Sequence, residues 1–262
     1  MSVPDEPRPA EVLPPLLSEF FDYFTAVRGR SPLTVREYRY DLVLFFRFLL
    51  RRRGLADRSA PLEEIGVGAV DLDLLRSVTL NDLYAYMTWL GVERKGSPAM
   101  RARKVASLKA FFRYLKTRRQ LVDTDPTQEL ESPRQVRRLP RHLDLSESRQ
   151  LLQASAPADG TDESSGARRR ESIRNYCILT LFLNCGLRLS ELCSIDLAQL
   201  REETLTVLGK GAKERTLYLN GACQEALRDW LEVRPAYVGR SRESKALFLG
   251  RGGHRLQPKT VQ

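Results

Sequence analysis

Residues 181–197 read LFLNCGLRLSELCSIDL, an apolar stretch with a single arginine, Arg188, at its centre. A guanidinium in apolar surroundings is costly unless an anion meets it. Glu191 is one candidate partner, and a bound ligand is the other. Gly186 predicts the end of one helix and Ser190 the start of the next. Arg188 is therefore predicted at a corner just before a helix N-terminus, where backbone N–H groups also favour a phosphate.

Two β-patterns follow this corner, TLTVL at residues 204–208 and RTLYL at residues 215–219. The segment between them, GKGAKE, carries two glycines and predicts a hairpin with Lys210 near its tip. Such a lysine can meet a phosphodiester oxygen or donate a proton to it. Arg188 and Lys210 together favour phosphoryl transfer on nucleic acid. On the residues alone the alternative stays open that Arg188 pairs with Glu191 and that Lys210 is an exposed turn lysine.

The N-terminal half carries four amphipathic helix patterns, each with a start signal. The first begins at Pro15, and the others follow Ser31, Thr79 and Ser97. A proline follows each of the two serines, as suits a first helical position, and Thr79 has an acidic residue three positions on, as in a capping box. These patterns predict a compact helical domain over residues 14–120.

The fourth of these helices is strongly basic, with ten lysines or arginines and no acidic residue between Arg94 and Arg119. Like charges on one helix flank repel each other unless a partner neutralises them. We therefore expect phosphate contacts here, with a solvated basic face as the alternative. Together with two arginines of the segment that follows, the residues predicted to bind DNA are Arg101, Arg103, Lys104, Lys109, Arg113, Lys116, Arg137 and Arg138.

The remainder of the chain predicts a linker and a second domain. Residues 121–143 are Pro-rich and basic, which predicts an extended linker that follows a nucleic-acid backbone or serves as a plain tether. The second domain, residues 144–262, is expected to start with a short helix near Ser146. Its polar segment 155–170 predicts a surface loop, and residues 221–233 predict a helix capped by Asn220. ALFL at residues 246–249 predicts a short strand.

The composition favours a protein with a polyanionic partner and argues against a membrane, secreted or zinc-binding protein. The 262 residues carry a net charge of +10, which favours a polyanionic partner. No apolar run is long enough to span a membrane, and the N-terminus lacks the pattern of a signal peptide. Four cysteines without a C-x-x-C motif indicate free thiols in a reducing cytoplasm. With only two histidines, neither at ligand spacing, we expect no zinc site.

The hairpin and the corner together resemble a known family. CGLRLSELCSIDL at residues 185–197, followed by LTVLGKGAKERTLYLN at residues 205–220, is similar to the first catalytic box and β-hairpin of the tyrosine recombinase (phage integrase) family, Xer-type. SPLTVREYRYDLVLFFRFL at residues 31–49 and RARKVASLKAFFRYL at residues 101–115 resemble its core-binding domain. LPRHLDLSE at residues 139–147 resembles the entry to its catalytic domain.

The resemblance implies a fold and a mechanism. The expected fold is mainly α with a small β-hairpin or sheet: a helical, SAM-like core-binding domain followed by an α+β catalytic domain. In the family a tyrosine attacks a DNA phosphate and forms a 3′-phosphotyrosyl intermediate. The resemblance therefore implies that no metal or nucleotide cofactor is needed. By position, Arg188 matches the first of two phosphate-binding arginines, Lys210 the general acid, and Glu191 a local support. The implied role is site-specific recombination, in chromosome-dimer resolution or integration. The implied partners are double-stranded DNA and a second recombinase subunit, in a tetramer on DNA.

The sequence departs from the family pattern at its C-terminal end. It stops at Gln262, before the H-x-x-R box and the tyrosine nucleophile of the family. We expect either a C-terminally incomplete recombinase with a truncated catalytic domain or a short protein that binds DNA without cutting it. In both cases these 262 residues are expected to bind DNA and not to recombine it. A type IB topoisomerase, which uses similar Arg and Lys chemistry, is the weaker alternative.

Overall fold

A computed structural model of the chain describes residues 12–134, 142–157, 163–209, 213–238 and 245–261. The chain divides into two compact units, Met1–Arg138 and Leu139–Gln262, and each has its own hydrophobic core. The described residues are mostly helical, with one two-stranded antiparallel sheet in the second unit. The predicted fold class is thus confirmed. The predicted bounds of the domains and of the linker stay a prediction.

The helices of the first unit begin where the sequence signals predicted. Ser31 and Ser97 each accept a hydrogen bond from the backbone N–H three residues on, and a proline fills the first helical position after each. Thr79 forms the predicted capping box with Asp82. One short helix, capped by Asp71, was not predicted. The α-helices among the described residues of this unit are α1 Pro15–Ala26, α2 Pro32–Arg52, α3 Leu72–Arg76, α4 Leu80–Val92 and α5 Pro98–Thr117.

Aromatic side chains fill the core between α1, α2, α4 and α5. Phe111 of α5 packs edge-on against Phe20 of α1 and Phe46 of α2, and Phe45 of α2 packs against Tyr86 of α4. Each of these rings is fully buried. Such rings supply a large apolar area for burial, so they fix α5 firmly against the rest of the unit. The start of the predicted linker belongs to this core as well, because Val122 and Leu130 are buried in it.

The second unit contains the remaining helices and the sheet. Its elements are α6 Leu145–Ser155, α7 Glu163–Cys185, α8 Leu189–Ser194, β1 Thr204–Leu208, β2 Glu214–Tyr218, α9 Gly221–Val233, α10 Pro235–Val238 and α11 Pro258–Val261. Gly186 has φ +58° and ends α7, as predicted. Asn220 caps α9, also as predicted.

Two sequence predictions for this unit were wrong. The segment 155–170 was predicted as a loop, but α7 already begins at Glu163, because the run Ala-Arg-Arg-Arg-Glu at 167–171 consists of strong helix formers. ALFL at 246–249 was predicted as a strand, but it makes only isolated bridges, from Ala246 to Asp196 and from Leu249 to Arg255. These single bridges pair it with two different segments, so no continuous ladder forms.

The core of the second unit is formed by α7, α9 and the inner face of the hairpin. Leu205 and Val207 of β1 point into it, while the alternate residues of β1 are more exposed. Trp230 of α9 is fully buried and donates its indole N–H to the carbonyl of Leu247. The corner after α7 and the hairpin share this core, through Leu187 and Val207. Within the described ranges, no helix is long and apolar enough to cross a membrane.

Candidate active site and nucleic-acid interface

A buried carboxylate, Glu191 of α8, lies at the centre of the candidate site. Its side chain is only 3% exposed. Oε1 accepts a hydrogen bond from Nη1 of Arg188 at 2.6 Å, and Oε2 accepts from the backbone N–H of Arg188 at 2.9 Å. Oε2 also accepts from Nη2 of Arg215 at 2.9 Å. Glu191 therefore fixes both arginines by charge-assisted bonds.

The environment of Glu191 keeps its carboxylate ionised. Burial opposes the charge, but the backbone N–H and guanidinium of Arg188 and the positive charge of Arg215 outweigh burial and lower the pKa of Glu191 below its ordinary value. At neutral pH the carboxylate therefore stays charged. It can hold the Arg188 guanidinium in one orientation throughout the physiological range.

The Arg188 side chain is 64% exposed, which corrects the expectation of a buried guanidinium. The apolar neighbours of Arg188 in the sequence point into the core, whereas the arginine itself lies on the corner that Gly186 creates. Arg188 can bind both of its candidate partners, Glu191 and a ligand, at the same time. Nη1 pairs with Glu191, while Nε and Nη2 have no partner among the described residues. These two donors form one edge of the planar fork that suits a phosphate.

The base of the hairpin lies against the same carboxylate. The N–H of Gly209 donates to the carbonyl of Lys213 at 2.8 Å and closes the described part of the hairpin. A Cβ at position 209 would lie 3.7 Å from Oε1 of Glu191, so the backbone that leads to the tip passes close to this side chain. Lys210 itself lies outside the described residues.

The sequence interpretation missed Arg215 as a member of this site. Arg215 of β2 pairs in register with the buried Val207 of β1. In an antiparallel pair such residues share one face of the sheet, and this face is the inner one. A charged residue at an inward position of a strand was therefore the available signal. Its carboxylate partner, Glu191, lies 24 residues earlier and could not be paired with it from the sequence.

Three of the predicted DNA-binding residues lie together on α5. Lys109, Arg113 and Lys116 line a cavity of about 290 Å³ on the first unit, together with Thr117, Asp125, Thr127 and Gln128. Across the described part of the chain, none of the three cations forms an ion pair. Three cations and one carboxylate, that of Asp125, leave a net positive charge around this concave surface, which attracts an anion such as a phosphate.

Two other predicted residues have protein partners, and Lys104 does not fit its predicted role. Its side chain is 2% exposed, and its Nζ donates to Oδ1 of Asp41 on α2 at 2.6 Å. Arg103 contacts Oδ2 of Asp41 and Oε2 of Glu37, both at 2.8 Å. The neutralising acids absent from the basic helix thus come from α2. We leave Lys104 out of the proposed DNA surface, because its charge is buried and compensated.

Arg101, the last of the described predicted residues, does not line the cavity. Arg101 lies on α5 against α4, where a Cβ at Gly91 would lie 3.1 Å from its Nη1. The absence of a side chain at Gly91 leaves room for this guanidinium. Arg137 and Arg138, like the rest of 135–141, lie outside the described residues.

Two family patterns match the chain. The pattern described as "Phage integrase family" matches residues 141–262. The pattern described as "Phage integrase, N-terminal SAM-like domain" matches residues 17–60. The N-terminal match lies within the first compact unit, and the C-terminal match lies within the second.

Known proteins resemble the chain over most of its length. "Tyrosine recombinase XerC" of Caldanaerobacter subterraneus subsp. tengcongensis is 49% identical over 95% of this chain and 67% of its own length.

Two solved structures share the fold. A crystal structure of the XerH site-specific recombinase bound to its palindromic difH substrate superposes with a TM-score of 0.61 at 17% identity, over 92% of this chain and 63% of the other. A crystal structure of a lambda integrase tetramer bound to a Holliday junction gives 0.61 at 18% identity, over 99% and 68%. With a helical first unit, an Arg188–Glu191 corner beside a β-hairpin and a XerC relative at 49% identity, the chain belongs to the phage integrase family of tyrosine recombinases, Xer-type.

Proposed function

We propose that the protein acts in site-specific DNA recombination, in which DNA strands are broken and rejoined through a 3′-phosphotyrosyl intermediate. These 262 residues are proposed to supply DNA contacts and the part of the chemistry that Arg188 and Lys210 carry. The observation that carries this proposal is the Arg188 guanidinium, anchored by Glu191 through Nη1 and open to a ligand through Nε and Nη2. The name of the XerC relative and the DNA-bound state of the XerH and lambda integrase structures support it. Chromosome-dimer resolution or integration is the proposed biological role.

Arg188 is proposed to bind the non-bridging oxygens of the scissile phosphate. A phosphoryl transition state carries more charge on these oxygens than the substrate does, so a fixed cation stabilises the transition state preferentially. Glu191 acts as a positioning residue, because it holds Arg188 without reaching the exposed edge of the guanidinium. Lys210 is proposed as the general acid towards the leaving 5′-oxygen. The chemistry needs no metal or nucleotide, because the phosphotyrosyl bond conserves the energy of the broken phosphodiester.

The cavity lined by Lys109, Arg113 and Lys116 is proposed to hold the DNA backbone. Sequence-independent phosphate contacts supply much of the affinity of a DNA-binding protein and position it on the duplex. The proposed partners are double-stranded DNA and further recombinase subunits, in a tetramer on DNA, as in the lambda integrase structure. A cytoplasmic location belongs to the same proposal.

The salt dependence of DNA binding tests the role of this cavity. We expect the 262-residue chain to bind duplex DNA more weakly as salt rises, since phosphate contacts release counterions. The slope of log Kobs against log salt is negative. Replacing Lys109, Arg113 and Lys116 by alanine should reduce its magnitude by about 2–3. Fluorescence anisotropy with a labelled duplex measures both slopes.

The matched control removes three positive charges elsewhere on the first unit. Arg51, Arg52 and Arg58 line a different concave surface, beside Phe48 and Trp89. Their replacement by alanine changes the net charge equally and should leave the slope unchanged. Equal slopes for the two triple variants would show that the cavity is not part of the DNA interface. A wild-type chain that binds no duplex at low salt would contradict the proposed function itself.

A further inference from the structure

Two cysteine thiols meet where α7 ends and α9 begins. Cys185 is the last residue of α7, and Cys223 lies in the first turn of α9. Their Sγ atoms are 3.9 Å apart. A disulfide needs about 2.05 Å, so each sulfur has to move by about 1 Å for the bond to form.

Neighbouring side chains hold the two helix ends in this arrangement. Asn220 caps α9 by accepting from the backbone N–H of Cys223 at 3.0 Å. The same residue donates its Nδ2–H to Oδ1 of Asn184 at 2.8 Å, next to Cys185. The hydrogen bond between Asn184 and Asn220 therefore links the two helix ends that carry the thiols.

The two thiols differ in access to solvent. Cys185 is partly exposed, whereas Cys223 is fully buried, and burial is also nearly complete for the other two cysteines, Cys177 and Cys193. An oxidant in solution therefore meets Cys185 first. Burial raises the pKa of Cys185, and burial together with the neighbouring Cys185 raises that of Cys223 to about 12. Both stay protonated at neutral pH, so the pair is expected to resist mild oxidation and to react with excess oxidant.

We propose that Cys185 and Cys223 are a modification site, which forms a reversible intramolecular disulfide under peroxide. Cys185 attacks hydrogen peroxide, breaks the O–O bond and becomes a sulfenic acid with release of water. Cys223 then attacks the Cys185 sulfur and expels the hydroxyl, which leaves as a second water with the Cys223 proton. The two sulfurs lose two electrons in total and the peroxide gains two. A dithiol reverses the reaction by exchange.

The disulfide would act on the corner that carries Arg188. Only Gly186 and Leu187 separate Cys185 from Arg188, and the carbonyl of Gly186 accepts from Nη2 of Arg215 at 3.4 Å. Drawing the end of α7 towards α9 shifts this corner relative to Glu191. Oxidation is therefore expected to weaken the phosphate contact of Arg188. This consequence, unlike the disulfide itself, rests on the proposed function.

Peptide mapping of the oxidised 262-residue chain tests the modification site. After hydrogen peroxide, the non-reduced digest should contain a peptide that links Cys185 to Cys223, and the intact mass should fall by two hydrogens. Dithiothreitol should restore both. Cys193→Ser is the matched control and should still form the link, whereas Cys185→Ser should not. The wild-type digest alone decides the matter if a variant does not fold. No link, or a link that involves Cys177 or Cys193 in its place, would overturn the proposal.

Duplex binding by reduced and oxidised protein tests the consequence for Arg188. We expect oxidation to weaken wild-type binding by about tenfold, the size of one charge-assisted contact, and to leave the affinity of Cys185→Ser unchanged. A disulfide that forms without any loss of affinity would refute the coupling while the modification site stands. Reduced protein that does not bind the duplex would instead refute the proposed function, and the mapping result would be unaffected.

Discussion

In a chain that includes the tyrosine nucleophile of the family, replacing Arg188 by alanine is expected to slow DNA strand cleavage by about 10²–10³-fold. The Nε and Nη2 donors of Arg188 are the open edge of a guanidinium that Glu191 fixes from the other side. Because the charge on the phosphate oxygens grows in the transition state, the loss should fall on the rate of cleavage more than on DNA affinity. The rate of covalent complex formation on a nicked duplex measures it, with a DNA site selected from a random-sequence pool.

Arg188→Lys separates charge from geometry in the same assay. A lysine retains the positive charge but has no planar fork with which to bind Glu191 and a phosphate at the same time. We expect DNA affinity close to that of the wild type, with cleavage still at least about tenfold slower. Cleavage by Arg188→Ala at the wild-type rate would exclude Arg188 from the chemistry. A loss of affinity with no change in rate would leave it a binding residue only.

Asp41→Ala is expected to destabilise the first unit by about 3–5 kcal/mol, the largest effect on stability that we predict. Asp41 accepts from Lys104, Arg103 and Ser107, and both Asp41 and Lys104 are almost completely buried. Burial already lowers the pKa of Lys104, although hydrogen bonding to Asp41 raises it in part. Without the carboxylate, the buried ammonium has to lose its proton or open the contact between α2 and α5. Hydrogen exchange of the α2 and α5 amides measures the change in this unit by itself.

Two controls sharpen this prediction. Glu37→Ala removes an exposed partner of Arg103 and should cost at most about 1 kcal/mol. The double variant Asp41→Leu with Lys104→Met removes both buried charges and should recover most of the stability lost by Asp41→Ala. If Asp41→Ala cost no more than Glu37→Ala, Lys104 would not depend on Asp41 for compensation.

Local signals in the sequence predicted local structure well. The caps at Ser31, Ser97 and Asn220 and the helix stop at Gly186 were correctly placed. Each depends on backbone groups within four residues, so the necessary information lies in one short segment. The observed bounds of the two hairpin strands agree with the predicted bounds to within one residue, for the same reason.

Partners distant in the sequence could not be assigned in this way. The basic flank of α5 contained no acid, so the pairing of Lys104 with Asp41, 63 residues earlier, had no local sign. Arg188 was expected to be buried because its neighbours are apolar, yet the corner turns its side chain outward. Both errors arise because residues adjacent in sequence can face opposite sides of a helix or a corner.

The salt dependence of duplex binding by Arg188→Ala tests the central claim most directly. One phosphate contact contributes about 0.9 to the slope of log Kobs against log salt. Arg228→Ala, at an exposed position of α9 in the same unit, removes the same charge as a matched control. If Arg188 binds a DNA phosphate, the slope of Arg188→Ala falls by about one, while Arg228→Ala keeps the wild-type slope. Coincident slopes for the two variants would show that Arg188 is one surface charge among others, and would contradict the claim.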